Sequence, residues 1–96
     1  MASDFDLDQQ LATTEQKDAV NQWIHKLEAQ LVEIIWDLPP DESVREATQD
    51  AADTLTDVVV WMNRRGFRLT YGELATIDVS IRSNYAHVTE VKGRYL

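Results

Sequence analysis

Several sequence features that would indicate a secreted, membrane-bound or cysteine-dependent protein are missing. The chain contains no cysteine, which excludes disulfides, thiolate nucleophiles and cysteine-based zinc sites together. No apolar run approaches the roughly 20 residues that span a bilayer. The acidic N-terminus, MASDFDLDQQ, lacks the basic and apolar regions of a secretory signal. We therefore expect a soluble, cytoplasmic protein that does not bind membranes.

Basic residues are scarce in the first part of the chain. The net charge is −8, and residues 1–57 contain 14 acidic and 3 basic residues, whereas residues 58–96 contain 3 acidic and 6 basic residues. A negative field repels the phosphates of nucleic acids. Direct binding to duplex DNA is therefore not expected, and the acidic part is expected to attract a partner protein with a basic surface.

The length of 96 residues predicts a single small domain with one modest core. Residues 1–12 are interpreted as an acidic tail. A helix is predicted over residues 13–38, because Thr13 and Gln16 have the spacing of a capping box and Pro39-Pro40 would end the helix. Its apolar residues recur at alternating steps of four and three, as expected for one buried stripe: Val20, Ile24, Leu27, Leu31, Ile34 and Leu38.

A second helix is predicted over residues 43–65. Ser43 and Glu46 again have capping-box spacing, which predicts Ser43 as the N-cap. Gly66 is suited to the position after the last turn, where a positive φ is common. Two amphipathic helices joined by a short proline-containing connection should pack as an antiparallel hairpin.

The last third of the chain, residues 67–92, is predicted to be β-rich. Ile77, Val79 and Ile81 alternate with polar residues, the period-two pattern of a half-buried strand, and Ser83-Asn84 could form a two-residue turn. The predicted fold class is therefore α+β, an antiparallel two-helix hairpin followed by a small antiparallel β-hairpin or sheet. An alternative remains open: LTYGELATIDVS is similar to the first half of a helix-turn-helix, with Thr70 and Glu73 as a capping box.

An acidic row is the most distinctive feature of the second predicted helix. Glu46, Asp50, Asp53 and Asp57 lie at i, i+4, i+7 and i+11, on the side opposite the apolar stripe. Such a row can occupy a groove built for a phosphate backbone, because Lys and Arg bind carboxylates and phosphates alike. Small acidic inhibitors encoded by phages, such as anti-CRISPR proteins, work in this way, and this chain is similar to them in size and charge. A solvated face without a partner is the other interpretation.

Two tryptophans add a second set of candidate binding residues. One small core is not expected to cover both Trp36 and Trp61, and an exposed aromatic patch predicts a protein interface. A homodimer is one way to cover it. The predicted function is thus a non-enzymatic inhibitor or regulator that binds another protein. Its candidate partner-binding residues are Glu46, Asp50, Asp53, Asp57, Trp36 and Trp61, with no catalytic residue, metal ligand or cofactor.

Two alternatives to this function follow from other residues. The stretch DAADTLTDVVVWMNRRGFRL resembles the second metal-binding helix of MazG-type nucleotide pyrophosphohydrolases. That resemblance implies Mg²⁺ binding by Asp50 and Asp53, together with a Glu-x-x-Glu pair on the preceding helix, where this chain has Glu28 and Glu33. The other alternative is a small nucleic-acid-binding regulator that uses the basic C-terminal third, in which tyrosines are interleaved with Arg64, Arg65, Arg68, Arg82, Lys92 and Arg94.

Overall fold

The computed structural model describes residues 9–95, so most of the acidic tail predicted over residues 1–12 lies outside the described residues. Three long α-helices make up this part of the chain: α1 (Thr14–Asp37), α2 (Glu42–Arg65) and α3 (Tyr71–Gly93). A short 3-10 helix, Gly66–Arg68, lies between α2 and α3. None of the described helices is long and apolar enough to cross a membrane.

The three helices form a bundle in which α2 runs antiparallel to both neighbours. Ile35 near the end of α1 lies beside Val44 near the start of α2, and Lys17 near the start of α1 lies beside Met62 near the end of α2. Helix α3 then runs alongside α1 in the same direction. This direction is shown by the ion pair between Glu33 in the second half of α1 and Lys92 near the end of α3. The two-helix hairpin expected from the sequence is therefore present, and α3 packs against both of its members.

The prediction of an α+β fold is wrong. Residues 71–93 form one continuous helix, and the described residues contain no β-strand, so both the β-hairpin and the helix-turn-helix are excluded here. The apolar residues of this segment also have helical spacing. Those on one face are buried between α1 and α2, whereas Val79 is 67% exposed. The buried face comprises Leu74, Ile77, Ile81, Val88 and Val91.

The start of α2 also differs from the prediction. Asp41 is the N-cap, and its Oδ1 accepts a hydrogen bond from the backbone N–H of Val44 at 2.9 Å. Ser43 is already inside the first turn. The connection after Pro39-Pro40 is tight, since the Asp41 N–H donates to the Pro39 carbonyl at 2.8 Å. The helix therefore begins as soon as a residue with a capping side chain follows the prolines.

The segment before α1 is attached to the connection between α2 and α3. The Ala12 N–H donates to the Leu69 carbonyl at 2.8 Å, and the Tyr71 N–H donates to the Gln10 carbonyl at 2.7 Å. Ala12 and Leu69 are both buried in the core. These two hydrogen bonds satisfy backbone groups that have no intrahelical partner. They fix the N-terminal end of α1 beside the N-terminal end of α3.

Candidate protein-binding surface

The acidic row lies on the solvent side of α2, as the helical spacing predicts. Glu46, Asp50, Asp53 and Asp57 are all exposed, because the opposite side of the helix places Ala47, Ala51 and Val58 in the core. Small alanines at the inner positions let α2 approach its neighbours closely. The row is thus held on a 24-residue helix, and only the few rotatable bonds of the Glu and Asp side chains separate each carboxylate from the helix backbone.

Three of the four carboxylates line an open groove between α2 and α3. Asp50, Asp53 and Asp57 form one side. The other side is polar but carries no acidic residue; it consists of Ser83, Asn84 and His87. The sequence analysis did not predict this half of the groove, because it assigned Ser83-Asn84 to a β-turn. In a helix, Ser83 and His87 are four residues apart and lie on one face.

A single side-chain contact sets the spacing across this groove. Asn84 Nδ2 donates to Thr54 Oγ1 at 2.8 Å and to the Ser80 carbonyl at 3.0 Å. Along the row, Gln49 Nε2 donates to Asp53 Oδ1 at 2.8 Å. Asp53 thus accepts a hydrogen bond from a neutral amide of the same helix, whereas the bonds of Asn84 involve no carboxylate. None of the salt bridges among the described residues involves the acidic row.

Four of the six basic residues of the last third lie in separate parts of the bundle. Arg65 forms an ion pair with Glu73 at one end of the bundle, and Arg94 pairs with Glu90 near the other end. Lys92 is directed to Glu33 on α1. Arg82 lies 4.8 Å from the centre of the Trp23 ring, on the α1 side of α3. These four residues therefore do not form the stacking platform for single-stranded nucleic acid that the sequence suggested.

Trp61 and Trp36 have different environments. Trp61 is half-buried, and its Nε1 donates to Glu73 Oε2 at 2.8 Å, so the polar atom of this indole is used inside the bundle. Trp36 is 81% exposed at the end of α1. Ile35, beside it, lines a groove between α1 and α2. Ile35 thus borders the α1–α2 groove, whereas three residues of the acidic row border the α2–α3 groove.

Glu73 accepts more hydrogen bonds than any other carboxylate among the described residues. Its side chain accepts hydrogen bonds from Trp61, Arg65, and both the N–H and the hydroxyl of Thr70. Partial burial by itself raises the pKa of Glu73, but the hydrogen bonds from Trp61 and Thr70 and the charge of Arg65 outweigh that effect and lower the pKa. Glu73 is thus a structural anion that joins α2 to the capping box of α3.

The geometry required by the resemblance to MazG-type enzymes is not formed. Glu28 lies beside His25 on the α1–α2 side, Glu33 pairs with Lys92 of α3, and Asp50 and Asp53 border the α2–α3 groove. Within residues 9–95, no three histidine or acidic side chains are grouped closely enough to hold a metal ion. The helical last third agrees with that family better than the predicted β-hairpin would, but the carboxylates do not converge.

Comparisons with known proteins add no relative. The chain matches no protein-family model, no curated protein and no solved structure. The resemblance to MazG-type enzymes therefore rests on residues 50–69 alone. The analogy with phage anti-CRISPR inhibitors rests on size and charge, and describing this chain as a phage or anti-CRISPR protein has no support.

Proposed function

We propose that this protein is a small acidic binding module whose α2 row occupies a basic, nucleic-acid-binding surface of a partner protein. The observation that supports this proposal is the exposed row of Glu46, Asp50, Asp53 and Asp57, none of which is used in a salt bridge among residues 9–95. Successive charges are three or four residues apart, which corresponds to about 4.5–6 Å along the helix.

The polar α3 wall of the α2–α3 groove agrees with this function. Lysine and arginine side chains entering the groove meet carboxylates on α2 and the hydroxyl and amide groups of Ser83 and Asn84 on α3. Charge-assisted hydrogen bonds of this kind are about twice as strong as neutral ones. The carboxylates of the groove repel phosphates, so the protein competes with nucleic acid instead of binding it. As part of this proposal, the protein and its partner meet in the cytoplasm.

The test compares two variants that remove the same number of charges. One neutralises the row as Glu46→Gln, Asp50→Asn, Asp53→Asn and Asp57→Asn. The matched control neutralises four exposed acids elsewhere, as Glu15→Gln, Asp18→Asn, Glu28→Gln and Glu90→Gln. Proteins captured from a host extract by the natural sequence are identified, and the affinity of each purified candidate is then measured for all three proteins with a nucleic-acid competitor present.

The proposal predicts a basic partner that binds the natural sequence and the control but not the row variant. Binding should weaken steeply as salt rises and should be lost when nucleic acid is added, because both ligands use the same cationic side chains. If the row variant binds as well as the control does, the row is a solvated face and the proposal is wrong. A partner that binds together with nucleic acid would contradict the proposed competition.

A further inference from the structure

The outer face of α1 carries an apolar seam, defined here as Ala29, Val32, Ile35 and Trp36. All four residues are exposed, whereas Ile34 on the inner face of the same turns is completely buried. The exposed fractions are 54% for Val32, 55% for Ile35 and 81% for Trp36. Ala29, Val32 and Trp36 follow at steps of three and four residues, so they lie along one line of the helix. This is the spacing of a helix–helix contact.

We propose that the seam is a homodimer interface in which α1 packs antiparallel against α1 of a second copy. The two ends of the seam are unequal in size, since Ala29 has the smallest side chain and Trp36 the largest, about 10 Å apart along the helix. A two-fold axis beside Val32 places each Trp36 over the Ala29 of the other copy, which gives a self-complementary contact. A parallel arrangement would place Trp36 against Trp36 and Ala29 against Ala29, so that two large side chains crowd at one end and two small ones leave a gap at the other.

The exposed area suits a weak dimer. A tryptophan as exposed as Trp36 offers about 200 Å² of largely apolar surface. With the half-exposed Val32 and Ile35 added, the seam is of about 300–400 Å², a patch size that often marks an interface on a monomer. Two seams together remove on the order of 700 Å², which is below the ~1,200 Å² of stable complexes and in the range of weak, transient contacts.

The charges around the seam predict how salt affects the dimer. Glu28, Glu33 and Asp37 flank the seam on α1, and Arg45 of α2 lies across the adjacent groove. Each copy carries a net charge of −8, so association brings like charges together. Salt screens that repulsion and should strengthen the dimer. The proposed basic partner has the opposite salt dependence, so the two proposals can fail separately.

Self-association is measured by sedimentation equilibrium from micromolar to millimolar protein, at about 50 mM and 200 mM salt. The expected result is a monomer–dimer equilibrium that is tighter at the higher salt concentration. Trp36→Ala should weaken the dimer by about thirty-fold or more, the loss expected for a central aromatic contact. The matched control is Phe67→Ala, because Phe67 is an equally exposed aromatic (80%) at the opposite end of the bundle. Circular dichroism confirms that each variant is folded.

A protein that stays monomeric throughout this range would overturn the proposal. So would a dimer that Trp36→Ala does not affect or that Phe67→Ala abolishes, because the interface would then lie elsewhere.

A single introduced cysteine tests the antiparallel register, since the natural chain has none. Val32→Cys lies beside the proposed two-fold axis, so mild oxidation should yield a disulfide-linked dimer. Thr56→Cys on α2, also exposed, serves as the control and should cross-link far more slowly. Equal cross-linking of the two variants would reject the register and, with it, the proposed α1–α1 contact.

Discussion

Trp61 donates its indole N–H to the Glu73 carboxylate across 2.8 Å, and this contact joins the last turns of α2 to the first turn of α3. The same carboxylate accepts the Thr70 N–H, while the Glu73 N–H donates to the Thr70 hydroxyl. A capping box that is ordinarily local is thereby connected to a neighbouring helix. The connection between α2 and α3 is therefore held by side chains as well as by backbone.

Removing this carboxylate should destabilise the bundle. Glu73→Ala leaves the Trp61 N–H and the Thr70 N–H without their acceptor and removes the partner of Arg65. We expect a loss of about 2–3 kcal/mol in the free energy of unfolding, because a partly buried, charged hydrogen-bond acceptor is removed. Urea unfolding measures the loss. Glu90→Ala, which removes only a surface pair with Arg94, is the control and should lose much less.

The contribution of Glu73 should also depend on pH. Because its pKa is lowered in the folded state, the stabilisation is fully present above the unfolded pKa, about 4.3, and is lost as the pH falls through the folded pKa. The stability difference between the natural sequence and Glu73→Gln should therefore be largest at neutral pH and shrink in acid. Urea unfolding at a series of pH values measures it, and a difference that grows below pH ~4 would contradict the assignment.

Neutralising the acidic row should leave the fold intact. Glu46 and Asp50, and likewise Asp53 and Asp57, are like-charged pairs at i, i+4, which destabilise a helix by a few tenths of a kcal/mol each. The fourfold Gln/Asn variant should therefore be equally stable or slightly more stable at low salt, with the gain disappearing at high salt. Thermal unfolding at two salt concentrations provides the measurement. A large loss of stability would mean that the row supports the fold.

A side chain at position 66 should strain the backbone. The Gly66 φ of 54° and ψ of −128° are accessible to glycine but strained for other residues, although a Cβ would meet no atom within 4 Å. Gly66→Ala should therefore cost about 1–3 kcal/mol through backbone strain alone. Gly93→Ala is the matched control, since Gly93 is helical and a Cβ there also meets nothing within 4 Å; alanine should be neutral or stabilising. Equal effects at both positions would argue against backbone strain.

Local signals near helix ends were sufficient to predict α1 and most of α2. The reciprocal bonds of Thr13 and Gln16, at 2.8 and 3.1 Å, are those expected from the spacing of these residues. Gly66 ends α2 as predicted. These features depend on residues three or four positions apart, so the sequence alone contains the information. The exposure of the acidic row follows for the same reason, because helical spacing alone places it opposite the apolar stripe.

The structure of residues 71–93 depended on tertiary contacts. Ile77 and Ile81 fit a strand through period two and a helix through a step of four, and their β-branched side chains favour the strand locally. Burial of both residues against α1 and α2 decides for the helix, because a helix places them on one face together with Val88. Asn84 was assigned to a turn from the sequence. It lies inside α3 instead, where its side-chain amide donates a hydrogen bond to the Thr54 hydroxyl of α2. The α2–α3 groove and the exposed seam of α1 depend on that packing, since the sequence does not determine which helical faces the third helix covers.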